Sequence, residues 1–407
     1  MKILFILSQT PYPWWFYGRT SYYFTLISLR KYADVHVSFP TLSISKEDLE
    51  HLNEIGLNVY PYILDTRDKY HKILLNFFEA EPFKIRKYWD IRYKDFIVEL
   101  TKKLSPDIIQ IHTPHMAPYG IELKKNFPNI PIIIRIHDIV SEQIKTYFQV
   151  NNNPIARIIA SWQLKKTESF EVKVWSFFEK TIFFTKTDMK KAISISLNYG
   201  ISPENRFMCI MDGVDIKENL YLKSVDKENS ISLAASGQIQ NVLSLRRFLD
   251  EVWFKIYKNT SFVLNIYGKV CQFFKRDEKI LNEKKVYLKG FIEDRSKLDF
   301  ELAKSKIFLS YTVVGSGYRT KIFDAGAIGM PVICNSFDFE PLSEYLQPGK
   351  HILVADSKED FLKILRDIEE GFISLEEISK NFHLKLKEQF SWQVTAEQFI
   401  NLYNQLK

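Results

Sequence analysis

Short apolar runs recur along the chain, separated by segments long enough to be helices. In the first half they are KILFILS (2–8), DVHVSF (34–39), NVYPYI (58–63), IIQIH (108–112), IIIRIH (132–137), TIFFT (181–185) and FMCIM (207–211). Runs this brief and this continuously apolar predict strands buried on both faces, and their alternation with helix-length segments predicts a parallel sheet. A polar stretch from Lys217 to Ser230 interrupts the rhythm and reads as a linker. A second series follows: ISLAAS (231–236), FVLNIY (262–267), VYL (286–288), IFLS (307–310), VIC (332–334) and ILVA (352–355). The expected fold class is α/β, with two Rossmann-like doubly wound domains, 1–216 and 217–385, facing a central cleft where the carboxyl ends of both sheets bind ligands.

The chain has 407 residues, 46% hydrophobic and 26% charged, ample for two cores. No apolar run approaches the roughly 18–20 residues of a membrane span. The opening run is too short for a signal peptide, so a cytoplasmic protein is expected. Cys209, Cys271 and Cys334 are odd in number and set among apolar residues, which predicts buried thiols instead of a disulfide or zinc framework. A net charge of +7 suits acidic partners without demanding nucleic acid, and none is expected. From Lys84 to Lys103, seven Lys or Arg face three acids among aromatic and aliphatic residues. Such a stretch suits peripheral contact with the inner membrane surface, or is a solvated face, and both readings stay open.

The segment Gly315–Leu342, GSGYRTKIFDAGAIGMPVICNSFDFEPL, carries the most chemistry. It reads as a glycine-bracketed turn, a helix from near Tyr318, a stop at Gly329-Met330-Pro331, and a buried strand. Glycines let backbone N–H groups approach a ligand, and a helix N-terminus directly after them favours an anion such as a diphosphate. Ser316, Arg319 and Lys321 share the turn. Asp324 follows within reach of a sugar hydroxyl beside such a phosphate. The same glycines could instead only shape a strand-helix-strand unit.

Six segments in order resemble the GT-B glycosyltransferases, and within them the retaining group related to glycosyltransferase family 4. They are KILFILSQTPYP, SPDIIQIH (105–112), IIIRIHD (132–138), MDGVD (211–215), the Gly315–Leu342 block, and FSWQVTAEQFINLY (390–403). The resemblance implies transfer of a sugar from a nucleotide-diphosphate sugar to a glycan or lipid-linked acceptor, with retention, in cell-envelope polysaccharide or glycoconjugate synthesis. It also implies that residues 386–407 form a closing helix against the first domain. It assigns His137 to the donor sugar or reacting centre. Gly237, Gln238, Gly315, Ser316, Gly317, Tyr318, Arg319, Lys321 and Asp324 would bind the donor, with Asp324 on its ribose. Gly18, Arg19 and His112 are the acceptor-side candidates.

The departures are specific. Two glutamates common in such enzymes are here Ser316 and Asp324, and an arginine–lysine pair expected after Gly237 is missing. Arg319 and Lys321 would supply the charge. No Asp-x-Asp metal motif occurs, so neither metal nor cofactor is expected. His112 and His115 have a ligand-like spacing, but no carboxylate or cysteine lies beside them. Glu171, where relatives carry a helix glutamate, reads as part of a solvated face. A nucleotide-sugar epimerase on the same fold and a non-catalytic or degenerate nucleotide-sugar binder stay open as alternatives.

Overall fold

Strand β1 (Lys2–Ile6) is apolar after its first residue because parallel partners flank both its edges and helices cover both its faces. Phe5 stands opposite Val37 on one side and Gln110 on the other. With β2 (Asp34–Thr41), β3 (Asn58–Ile63), β4 (Ile108–His112), β5 (Ile132–Ile136), β6 (Lys180–Phe183) and β7 (Phe207–Cys209) it forms one parallel sheet, ordered β3-β2-β1-β4-β5-β6-β7. A second parallel sheet has the order β10-β9-β8-β11-β12-β13. Its strands are β8 (Glu228–Ala234), β9 (Val263–Tyr267), β10 (Val286–Gly290), β11 (Ser305–Ser310), β12 (Val332–Cys334) and β13 (Leu353–Val354). This is a computed structural model, and it describes residues 1–14, 19–65, 79, 81–150, 153–217, 227–314 and 320–407.

Each expected strand is present, and the two sheets are doubly wound, the order reversing between β1 and β4 and between β8 and β11. One boundary differs. Strand β8 begins at Glu228, opposite Ser305, so the polar residues 228–230 open a central strand and do not belong to the linker.

The chain divides into two compact units, Met1–Gly213 with Trp392–Lys407, and Val214–Ser391. In the first, α1 (Arg19–Leu29) and the closing helix α9 (Trp392–Leu406), which follows α8 (Leu375–Gln389) in the chain, pack on one face of the sheet, with Phe399, Leu402 and Tyr403 in that core. The other face is covered by α2 (Ile91–Leu104) and the long α4 (Pro154–Phe177). Trp175 and Phe178 are fully buried there; each such side chain contributes about 1.5–3 kcal/mol. Gly213 permits the return of α9: a Cβ at that position would lie 2.5 Å from the Trp392 Cα. The N-terminus of α2 is fixed by Asp90, which accepts from the Arg92 and Tyr93 amides.

Candidate active site

Strands β4 and β5 each carry polar residues on one face of an otherwise apolar run: Gln110 and His112, then Arg135 with His137 just beyond the strand end. Side chains two apart share a face, and this face is the one covered by α1 and α9. There the Arg135 guanidinium is fully buried. It donates to Asp212 Oδ1 at 2.8 Å and to Thr25 Oγ1 at 2.9 Å, and lies over the Phe184 and Phe399 rings. Ser21 completes the pair by donating to Asp212 at 3.0 Å. Burial pushes the Asp212 carboxyl up, against the pull of Arg135.

Beside this pair His112 Nδ1 lies 3.2 Å from His137 Nε2, and His112 Nε2 lies 2.8 Å from Gln110 Nε2. Tyr22 packs edge-on against both imidazoles. His112 is buried, whereas His137 retains partial exposure at the carboxyl end of the sheet. Burial holds both rings well below the usual histidine range, with the Arg135 charge adding to it. Both are therefore neutral at pH 7. Thr113, directly after His112, takes φ 70°, which a β-branched residue rarely adopts; such strain concentrates at functional sites.

Glu171 corrects the sequence reading. It is fully buried, accepting from the Val140 amide at 2.6 Å and from the Ser141 amide and hydroxyl at 3.2 and 2.5 Å. It thus satisfies the open N–H groups at the start of α3 (Val140–Val150), three residues after His137. Burial pushes its carboxyl up to about 7 against these three donors.

In the second unit, β8 leads into the loop 235–238 and then α5 (Ile239–Phe248), whose N-cap position is Gln238. Gly268 makes this loop possible: it adopts φ 100°, and a Cβ there would stand 2.1 Å from the Ala235 carbonyl oxygen. Asn241 donates to the Ser236 hydroxyl at 2.9 Å and braces the loop. At the next strand end Asp338 accepts from Ser310 at 2.5 Å and from Thr312 at 3.1 Å. Asn335 donates to the Thr312 carbonyl. These bonds fix the backbone leading to residue 314.

Helix α7 (Thr320–Ala327) carries Lys321 in its first turn and Asp324 in the next. Asp324 is half-exposed and pairs with Arg295 at 3.2 Å. Arg295, on α6 (Arg295–Ala303), also donates to buried Asp299 at 2.8 Å, and Lys217 reaches Asp299 at 2.5 Å. Asp324, then Asp299, raises the Arg295 guanidinium above its ordinary range.

Of the sequence candidates, His112 and His137 are brought into contact, while Arg19 starts α1 and donates to the Tyr12 carbonyl. Gly18, Gly315, Ser316, Gly317, Tyr318 and Arg319 lie outside the described residues. Gln110 and Tyr403 were missed; the paired polar positions in IIQIH and IIIRIH were a visible signal for Gln110 but not for Tyr403. Cys271 and Cys334 are buried, but Cys209 is only partly so. The basic stretch 84–103 is not one helix: a turn at Phe83–Arg86 precedes α2, whose apolar side is spent on the core. Among the described residues, no helix is long and apolar enough to cross a membrane, and no group of three or more His, Cys, Asp or Glu is placed to hold a metal ion.

Residues 246–401 match a family model described as "Glycosyl transferase-like". No curated protein matches by sequence. Among solved structures, Anabaena HepE in complex with UDP and glucose aligns with a TM-score of 0.66 at 13% identity, covering 100% of both chains. A glycosyltransferase from Rickettsia africae aligns at 0.66 and 14%, covering 100% of this chain and 98% of that one. Sucrose-phosphate synthase from Thermosynechococcus elongatus aligns at 0.66 and 14%, covering 100% and 99%. At these identities the likeness establishes the fold. That fold is the two-domain GT-B architecture expected from the sequence, and the match over residues 246–401 agrees with the resemblance to glycosyltransferases.

Proposed function

We propose that the chain transfers a sugar from a nucleotide-diphosphate donor to a glycan or lipid-linked acceptor, with retention and without a resident metal. The observation that carries this is the match over residues 246–401, which contains the whole Gly315–Leu342 segment. The donor is read as a UDP-sugar, since HepE is described with UDP and glucose. The glycine turn and the N-terminus of α7 bind the diphosphate, with Arg319 and Lys321 supplying cations. Fixed N–H groups and charges aimed at the leaving diphosphate stabilise the negative charge that grows there in the transition state. Asp324 turns from Arg295 toward the ribose. His137 acts at the reacting sugar, and Gly237 lets the loop 235–238 come close to the phosphates.

The test is thermal shift with UDP-, GDP-, ADP- and dTDP-sugars, followed by turnover with the stabilising donor and a panel of glycan and lipid-linked acceptors. One nucleotide class is expected to raise the melting temperature. Replacing Arg319 and Lys321 together with alanine is expected to cut turnover at least about 100-fold, as losing transition-state donors does elsewhere, with the fold intact. Unchanged turnover in that variant removes the phosphate role. An epimerised sugar formed from the donor without acceptor marks an epimerase, and stabilisation without any turnover marks a binder.

A further inference from the structure

A hydrogen-bond chain runs through the interior of the first unit and ends at His137. Its members come from separated parts of the sequence. Tyr403 on α9 is fully buried, and its hydroxyl donates to Gln110 Oε1. Gln110 on β4 is also fully buried, and its Nε2 faces His112 Nε2 at 2.8 Å. His112 Nδ1 faces His137 Nε2 at 3.2 Å.

The direction of this chain follows from what each group can do. An amide NH2 only donates, so His112 Nε2 accepts from Gln110. A neutral imidazole has one N–H, so the His112 proton sits on Nδ1 and is donated to His137 Nε2. His137 then carries its own proton on Nδ1. Reversing the chain would require the Gln110 amide to turn over and Tyr403 to accept from it. Tyr403 instead donates to Gln110 Oε1, which leaves the Gln110 amide nitrogen facing His112.

We propose that Tyr403 and Gln110 are positioning residues that lock His112 and His137 in the Nδ1–H tautomer, so that His137 meets its ligand as a neutral hydrogen-bond donor and not as a base. This rests on the reading that His137 faces the reacting sugar. A donor of this kind stabilises an oxygen on which charge develops without removing a proton from the acceptor. It also ties the closing helix to the chemistry, since α9 supplies the group that sets the direction.

The experiment is nitrogen–carbon correlation NMR on the full chain labelled at histidine, which reports the protonation of each ring nitrogen without donor or turnover. Wild type is expected to show His112 and His137 neutral with the proton on Nδ1. In Gln110→Glu a carboxylate accepts from both neighbours, so both rings are expected to switch to Nε2–H, with kcat lowered about tenfold or more and donor KM within about twofold. Tyr403→Phe removes only a hydroxyl and serves if the buried carboxylate prevents folding; its His137 signals are expected to divide between two tautomers. Nε2–H in wild type, or a tautomer unmoved in both variants, overturns the inference and leaves sugar transfer untouched. The expected tautomers in a chain that transfers no sugar would remove the functional reading while upholding the lock.

Discussion

The two units hold their polar groups in opposite ways. In the first, Arg135, Asp212, Gln110, His112, Glu171 and Tyr403 are sealed beneath helices, each bonded to a named partner. In the second, apart from the sealed Asp338, Arg295, Asp324 and Lys217 stand partly in water around the buried carboxylate of Asp299. Sealed groups keep one geometry because any alternative strands a polar atom without water. Half-exposed groups can exchange partners at little cost. Under the proposed function, this contrast would suit a first unit that presents a preset side chain to the sugar and a second whose anion site is completed by the ligand.

The sharpest way to break this comparison is Asp212→Asn. It leaves the Arg135 guanidinium fully buried and without a counter-charge, and losing one partner of a buried pair typically costs about 3–5 kcal/mol. Urea unfolding should show a midpoint lowered accordingly with little change in slope. A loss under about 1 kcal/mol would mean that water reaches Arg135 and that the interior is not sealed.

Glu171 gives a smaller effect with a definite sign. Its carboxyl lies at about 7 in the folded chain against an ordinary 4.5. Between those values the folded state holds a proton that the unfolded state has released. The contribution is therefore present below about pH 4.5 and is lost as pH rises through 7, amounting to roughly 3 kcal/mol across the window. Glu171→Gln removes that proton exchange. The stability difference, wild type minus variant, should fall steadily from pH 4.5 to 7.5 in paired denaturant titrations. A flat difference would place the charged carboxylate, held by its three donors, as the resting form throughout.

The strands were legible because continuous apolar runs such as IIIRIH have only one comfortable environment, a sheet covered on both sides. The parallel, doubly wound character of both sheets followed from the alternation with helices. The polar interior was harder to see. Glu171 has acidic and basic neighbours in sequence, and only the fold reveals that α4 turns it inward under Val140 and Ser141. Gln110 and Tyr403 are 293 residues apart, a pairing that no local pattern encodes. The chain Ser236-Gly237-Gln238-Ile239-Gln240-Asn241 showed that charge was missing, yet not that Asn241 would brace its own loop instead of reaching outward.

Asp324→Asn is the mild counterpart of Asp212→Asn and sharpens the comparison at its weaker end. The substitution keeps the side chain's shape, and Arg295 retains Asp299 as a partner. With Asp324 and Arg295 both about a third exposed, solvent screens the pair. The expected loss of stability is then within about 1 kcal/mol. Binding should respond differently. If Asp324 accepts from a ribose hydroxyl, replacing a charged acceptor by an amide weakens a bond worth about 1.5–3 kcal/mol, so calorimetric titration with UDP should show roughly tenfold weaker affinity. Unaltered UDP affinity would leave Asp324 as a partner of Arg295 alone. A stability loss as large as that of Asp212→Asn would show that the second unit's pairs are sealed as well, and the distinction between a preset and a ligand-completed site would go with it.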